Sequence, residues 1–354
     1  MLSSTLLLFL FTYVVASNNL RVNNIVLSSE VNMINDNIVN GDNVWDKFSE
    51  FQQKFSKKYH SVQEMEDRFE IFRDNFREII NHNLDHSQNY TMGVNQFTDL
   101  TPQEFKAMIA GGFSNKLFGS TSCSKVSDVG SNLPEVVDWR NHNAVTPVKD
   151  QGQCGSCWSF SASGAMEGAW AIHNDNLVSL SEQELVDCAG IRYGSMGCNG
   201  GQMDGAFKFV VDNGLCSESE YSYTSGTTKT DGPCQSSCKS VVKMSGCADV
   251  QANNQLALKQ SVYTGPVSIA IEADTKYFQS YSSGILTSTS CGTNLDHGVL
   301  IVGYGTENSQ KYWLVKNSWG TTWGDNGYVK IARSDSTNDA GVCGIAMQPS
   351  YPLV

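Results

Sequence analysis

Positive charge is scarce in this chain of 354 residues: 24 Lys and Arg stand against 36 Asp and Glu, for a formal net charge of −12. That balance excludes nucleic acid and anionic membrane surfaces as partners on electrostatic grounds. Long apolar runs are missing as well. Residues 6–15 are apolar but too few to span a bilayer, so no membrane partner is expected. The run ends in small residues at Ala16 and Ser17 and reads as a secretory signal peptide over residues 1–16, although no Lys or Arg precedes Arg21. No internal repeat is visible. No Cys/His cluster has the spacing of metal ligands, so neither a metal nor an organic cofactor is expected.

Against these absences stand 31 glycines, 11 cysteines and seven tryptophans. Eleven cysteines in a chain routed through an oxidising lumen read as a disulfide framework with leftovers. The length suits two lobes, or a domain with an appendage. After an Asn-rich stretch over 18–43, Trp45, Phe48, Phe51, Phe55 and Tyr59 recur every three or four residues, which predicts one amphipathic helix. Glu64, Arg68, Phe72, Asn75, Ile79 and Asn83 share one stripe of a second long helix that crosses or packs on the first. Thr101-Pro102-Gln103-Glu104 is a capping box with proline at the first helical position, so a short third helix begins there. The Gly-, Ser- and Thr-rich stretch 111–132 reads as an exposed linker.

From 133 onward the composition changes from charged helical text to glycine, cysteine and tryptophan. Helices are predicted near 157–173, 181–187 and 202–212, the second with a capping box at Ser181 and Glu184. Strands follow at 267–271, 299–304, 312–316 and 328–331. Helices first and strands second imply an α+β protein, a helical lobe facing a sheet lobe.

The most informative stretch is Gln151-Gly-Gln-Cys154-Gly-Ser-Cys157-Trp158-Ser-Phe160. It places Cys157 at a helix start behind a Gly/Ser turn, where the positive end of the helix dipole and unpaired amides favour the thiolate. Half of a disulfide is the competing reading of the same cysteine. The Cys154-Gly-Ser-Cys157-Trp158 form resembles the signature of papain and the cathepsins, and His297 and Asn317 stand 140 and 160 residues downstream of Cys157. Upstream, the Glu64-to-Asn83 stripe fits the prodomain pattern of cathepsin L-like zymogens, and Gly93, Asn95, Phe97 and Asp99 fit the shorter pattern that follows it. The resemblance runs from about residue 44 to the C-terminus.

That resemblance implies a papain-like two-lobe fold with a β-barrel-like second lobe. It also implies a propeptide over 17–132, made of an inhibitor domain at about 44–106 and a linker over 107–132, and a mature peptidase over 133–354. Cys157 is then the nucleophile and His297 the base and later the acid. Of the six histidines, only His297 sits beside a glycine at a strand start. Asn317 would orient the imidazole under the cover of Trp319, and Gln151 would share an oxyanion hole with the Cys157 N–H. The aligned substrate-binding residues are Gly200, Gly201, Met203, Ala270, Asp296 and Trp319, with Gln348 at the floor of the pocket for the second residue before the scissile bond. Small Ala270 and flexible Met203 favour aliphatic or aromatic side chains there; Gln348 bounds the depth or admits a polar residue.

The family bridges would be Cys154–Cys198, Cys188–Cys234 and Cys291–Cys343, with Cys216–Cys238 the first choice for a fourth. Cys247 is then free, buried or paired with Cys123. Only nine residues separate Cys188 from Cys198, too few for a dipeptidase-type insertion, so an endopeptidase is expected. A link between Cys123 and Cys247 would challenge that, because aminopeptidases of the cathepsin H type keep a tethered piece of propeptide in the cleft. The expected partners are protein or peptide substrates, the chain's own propeptide as inhibitor and cystatin-like inhibitors, around a monomer. Acidification, by protonating groups such as Asp99 and Glu64, should loosen the prodomain. Asn89-Tyr90-Thr91 is a glycosylation acceptor. The compartment implied is the secretory pathway, ending in a lysosome or acidic vacuole or outside the cell. A non-catalytic binding or storage protein, and a released stand-alone inhibitor over 44–110, are the readings from other classes.

Overall fold

The computed structural model describes residues 43–109, 123–125 and 132–354, less 236, 288 and 289. The expected signal peptide, nearly all of the Asn-rich stretch and most of the 107–132 linker lie outside the described residues. The chain divides into two compact units between Asp85 and His86.

In the first unit, α1 (Asn43–Lys54) and α2 (Val62–Leu84) meet through aromatic rings, Phe48 lying 5.4 Å from Phe69 and 5.3 Å from Phe72. Ser61 caps α2 by accepting the Glu64 N–H, and the Glu64 carboxylate accepts the His60 N–H at 2.6 Å. The predicted single helix through Tyr59 stops at Lys54, and Ser56 follows in the left-handed region at φ 51°. Tyr59 nevertheless stacks on Phe48 at 6.0 Å from the loop beyond. The aromatic spacing thus marked a shared surface rather than a continuous helix.

In the second unit, α3 (Pro102–Ile109) starts at the predicted capping box: Thr101 Oγ1 accepts the Glu104 N–H, and the Glu104 carboxylate accepts the Thr101 N–H. The helices that follow are α4 (Cys157–Asn174), α5 (Glu182–Cys188), α6 (Met203–Asn213), α7 (Ser225–Thr228), α8 (Gln255–Thr264) and α9 (Lys276–Gln279). Among the described residues ten strands make one sheet: β1 (Tyr90–Met92), β2 (Ser124–Lys125), β3 (Val137–Asp138), β4 (Gly246–Asp249), β5 (Val267–Ile271), β6 (Tyr281–Leu286), β7 (His297–Glu307), β8 (Gln310–Lys316), β9 (Tyr328–Ala332) and β10 (Ser350–Leu353). Their order is β1-β6-β9-β8-β7-β5-β10-β4-β2, with β3 paired to β7. The sequence predicted the core strands β5, β7, β8 and β9. It missed the shorter strands, among them β10, which lies between β5 and β4 and carries Pro352, a residue that brings no ladder donor.

Helix α4 is apolar nearly all round, the pattern of a helix buried on every side. Gly164 lets it approach β7, since a Cβ there would lie 2.7 Å from Leu300 Cδ2. Trp158, Met166, Phe207, Leu300 and Val302 join the two lobes in one buried cluster. Cys154–Cys198, Cys188–Cys234 and Cys216–Cys238 brace the helical side, and Cys291–Cys343 braces the sheet side. Cys123 is joined to Cys247, so of the three fates left open for Cys247 the structure takes the one that ties residues upstream of 133 to the sheet. There β2 runs parallel to β4, the Cys123 N–H donates to Asp249, and Ser124 Oγ donates to the Cys247 carbonyl.

Candidate active site

Cys157 opens α4. Ser156 before it makes no side-chain cap, so the first-turn amides are left for other acceptors. Ser156 Oγ instead meets the Tyr223 hydroxyl at 2.7 Å, and that hydroxyl donates to the Gln151 carbonyl. The Cys154–Cys198 bridge and the bond from the Gly155 N–H to the Cys198 carbonyl fix the loop leading in. Among the described residues Cys157 is the free cysteine, and it is fully buried.

His297 begins β7 and Asn317 follows β8, so the pairing of two neighbouring strands brings together residues that are far apart in sequence. His297 Nε2 lies 2.8 Å from Asn317 Oδ1, which also accepts the Ser318 N–H at 2.8 Å. An oxygen already accepting one N–H there assigns the imidazole proton to Nε2, which leaves the lone pair on Nδ1. Nδ1 is buried and without a hydrogen-bond partner. The next residue, Gly298, donates its N–H to Cys157 Sγ at 3.2 Å. Trp319 lies over the imidazole with ring centroids 4.7 Å apart.

Gln151 ties the two sides together. Its Nε2 donates to the Cys154 carbonyl, its Oε1 accepts from Ser318 Oγ, and its backbone N–H reaches the Ser318 carbonyl. One amide hydrogen of the side chain remains for a further acceptor.

Sequence reasoning expected a thiolate, and the electrostatics of this state run the other way. Burial pushes the Cys157 thiol up to about 12, against the pull of the Gly298, Trp158 and Cys157 N–H groups. Burial also holds His297 down to about 4, although the bond to Asn317 opposes it. The helix start and the amides favour S⁻ as anticipated, but loss of water is the larger effect and favours the neutral form of both groups.

Of the aligned subsite residues, Met203 at the start of α6 and Ala270 in β5 fall in one buried apolar cluster with Trp158. Gly201 is there for packing, since a Cβ would lie 2.5 Å from the Trp158 indole. Gly200 takes φ 111°, Asp296 is buried directly before His297, and Gln348, expected at a pocket floor, is exposed. The second prodomain pattern meets the end of α9 and the loop after β8: the Gly93 N–H donates to the Ser280 carbonyl, Asn95 Nδ2 to the Gln279 carbonyl, and Gln96 Nε2 to the Trp319 carbonyl. Phe97 packs edge-on against Trp319, and Asp99 is buried close by in sequence. Asn89, the glycosylation acceptor, uses its backbone carbonyl to accept the Ile285 N–H.

A buried ionic cluster behind the centre escaped sequence reasoning. Lys149 donates to Glu167 and Glu182, Thr146 donates to Glu167, and Lys316 donates to Thr146. Burial pushes Glu182 up to about 7 and Lys316 down to about 8. The available signal was Glu167, a carboxylate in the middle of an otherwise apolar helix.

Residues 133–353 match the family described as papain family cysteine protease, and residues 48–105 match the cathepsin propeptide inhibitor domain. The chain is similar to probable cysteine protease RD21B of Arabidopsis thaliana, 47% identical over 293 residues, spanning 82% of this chain and 61% of that protein. It thus covers about three fifths of that relative's length. Senescence-specific cysteine protease SAG39 of Oryza sativa subsp. japonica is 45% identical over 303 residues, 84% of this chain and 87% of that one. Among solved structures, digestive procathepsin L 3 from Tenebrio molitor larval midgut superposes with a TM-score of 0.79 at 41% identity, over 88% of this chain and 99% of that one. The recombinant stem bromelain precursor does so at 0.80 and 36% identity, with the same coverage.

Proposed function

The chain belongs to the papain family of cysteine proteases and carries the family's inhibitory propeptide, and from that premise we propose that it is an endopeptidase held latent until the propeptide is removed. The observation that carries the reading is the convergence of Cys157 Sγ, the Gly298 N–H and an imidazole whose bare Nδ1 results from its bond to Asn317. With the cover gone and water admitted, the Cys157 proton passes to Nδ1 and the thiolate attacks the scissile carbonyl. The oxyanion is met by the Cys157 N–H and the remaining Gln151 amide hydrogen; losing one such donor typically costs about 10²–10³ in rate. His297 then gives the proton to the departing amine, leaving an acyl-enzyme that water hydrolyses by the same route.

The apolar cluster of Met203 and Ala270 supports a preference for aliphatic or aromatic residues two positions before the cut, and the exposed position of Gln348 fits a pocket it does not close. Passage through the secretory pathway, maturation near Leu133 at acidic pH, a monomeric enzyme and inhibition by cystatin-like proteins complete the reading. Among the described residues no helix is long and apolar enough to cross a membrane.

The Cys123–Cys247 bridge favours a second reading, in which a tethered piece of propeptide turns the enzyme toward free N-termini. Cleavage of an N-acylated peptide at an internal bond separates the two, because a strict aminopeptidase leaves it intact. Labelling by a thiol-directed epoxide of the matured protein, but not of its Cys157→Ala variant, tests the nucleophile. Equal labelling of both defeats the proposal.

A further inference from the structure

An acidic pair lies directly beside His297. Asp296 precedes it in the chain and is only 6% exposed; its Oδ1 accepts the Ala273 N–H at 2.8 Å, while Oδ2 is buried with no hydrogen-bond partner. The Asp274 carboxyl, just past the end of β5, lies close enough for its charge to act on the Asp296 carboxyl. Burial and this neighbour push Asp296 up to about 7. Glu272, the other acid of the same turn, is engaged by the Asn294 N–H.

One cation sits on the pair. Lys106 of α3 forms an ion pair with Asp274, and Asp274 is the buried partner, 11% exposed against 56% for the lysine. Lys106 belongs to the propeptide, so removing α3 takes the countercharge away and leaves two carboxylates, one of them with an unpartnered buried oxygen. The same helix places Phe105 edge-on against Trp319 at 5.5 Å, and Trp319 lies over His297. Helix α3 therefore covers the histidine side of the centre. His297 gives its proton to the departing amine, so this is the side that receives the residues after the scissile bond.

We propose that Asp274 and Asp296 form a subsite for a basic side chain, Lys or Arg, on the first or second residue after the scissile bond, and that Lys106 fills this subsite in the latent chain. The proposal rests on the protease reading above. Two carboxylates this close repel each other, and one cation between them relieves that repulsion. A guanidinium could engage both through its fork of N–H donors.

The test uses the matured enzyme and internally quenched peptides, identical before the cut and carrying Arg, Lys, Gln or norleucine at the first or second position after it. At one of those positions a basic residue should raise kcat/KM by about fivefold over Gln, the scale of one ion pair at the edge of solvent. In Asp274→Asn that ratio should fall toward one. Sequencing of products from a mixed peptide library, which needs no variant, should show Lys or Arg enriched after the cut. Equal rates for basic and neutral residues at both positions overturn the proposal, and a preference that survives Asp274→Asn overturns it as well. If no peptide is cleaved at all, the protease reading fails instead, and the two failures are told apart.

Discussion

The Cys123–Cys247 bridge changes what a single activating cut can do. Among the described residues, the propeptide side chains that pack on Trp319 beside the centre, Phe97 and Phe105, lie upstream of Cys123, so cleavage between Lys125 and Leu133 leaves them attached through sulfur. A short tether holds an inhibitor at an effective concentration of about 1 mM, about 10⁵ above the ~10 nM to which a released segment is diluted in an ordinary assay. For any segment affinity between those limits, the tethered form is blocked and the released form is active. The perturbation is a recognition site for an unrelated protease placed within 126–132, cut in the wild type and in Cys123→Ala/Cys247→Ala. The readout is uptake of a thiol-directed epoxide at Cys157 without added thiol, since a reductant would also reach the other bridges. Wild type should label slowly after the one cut and quickly after a second cut upstream of Cys123; the double variant should label quickly after one. In the uncut chain the bridge closes a loop of roughly 55 residues by the shortest path through its neighbours, so its loss costs about 4 kcal/mol in the chain-entropy estimate. The doubly cut wild type therefore serves as the control free of that penalty. Equal labelling of singly cut wild type and double variant would refute the reasoning.

Three further outcomes follow from the site. Asn317→Ala removes the acceptor of both His297 Nε2–H and the Ser318 N–H, so kcat should fall on the order of 10² with little change in KM; an unchanged kcat would deny it a positioning role. Lys149→Met strands the buried Glu167 and Glu182 carboxylates and should destabilise the fold by about 3–5 kcal/mol, read from urea midpoints, with Glu167→Gln in the same chain recovering part of the loss. The pH response of the latent chain has a sign that can be worked out. His297 is held neutral in the folded state, down to about 4, against 6.5 when exposed, so between those values the unfolded chain takes up a proton that the folded chain does not. Stability should therefore drop as pH falls through that window, by up to about 3 kcal/mol from this residue. In an inactive Cys157→Ala background, His297→Gln should flatten the fall between pH 7 and 4.5, and an equally steep fall in both chains would assign it elsewhere.

The parts of the fold that were legible share one property: the signal is local. The caps at Thr101 and Ser181, the largely apolar helix behind Cys157 and the β-branched core strands are each written in short stretches of sequence. His297 and Asn317 are different. The glycine beside His297 at a strand start is a weak local mark, and the two residues meet only because β7 and β8 pair, which a family pattern encodes and residue chemistry does not. The buried ions Lys149, Glu167, Glu182 and Lys316 each look like surface charges when read one at a time, and the partner of Cys123 depends on where β4 lies.

The protonation state of Cys157 shows most clearly why local reading stops short. A helix start and the amide donors around the sulfur favour the thiolate, the dipole by at most about 2 kcal/mol. Complete burial opposes it by as much as 3–5 pKa units, which is about 4–7 kcal/mol. The second effect is larger, and it depends on whether water reaches the sulfur, which no residue next to Cys157 determines. On the proposed mechanism, the same ten residues present a neutral thiol while the site is dry and a nucleophile once it is wet. On that mechanism the control of reactivity rests with the segments that keep water away, and Phe97 and Phe105, packed on the Trp319 that lies over His297, would bear on the chemistry of a sulfur they never touch.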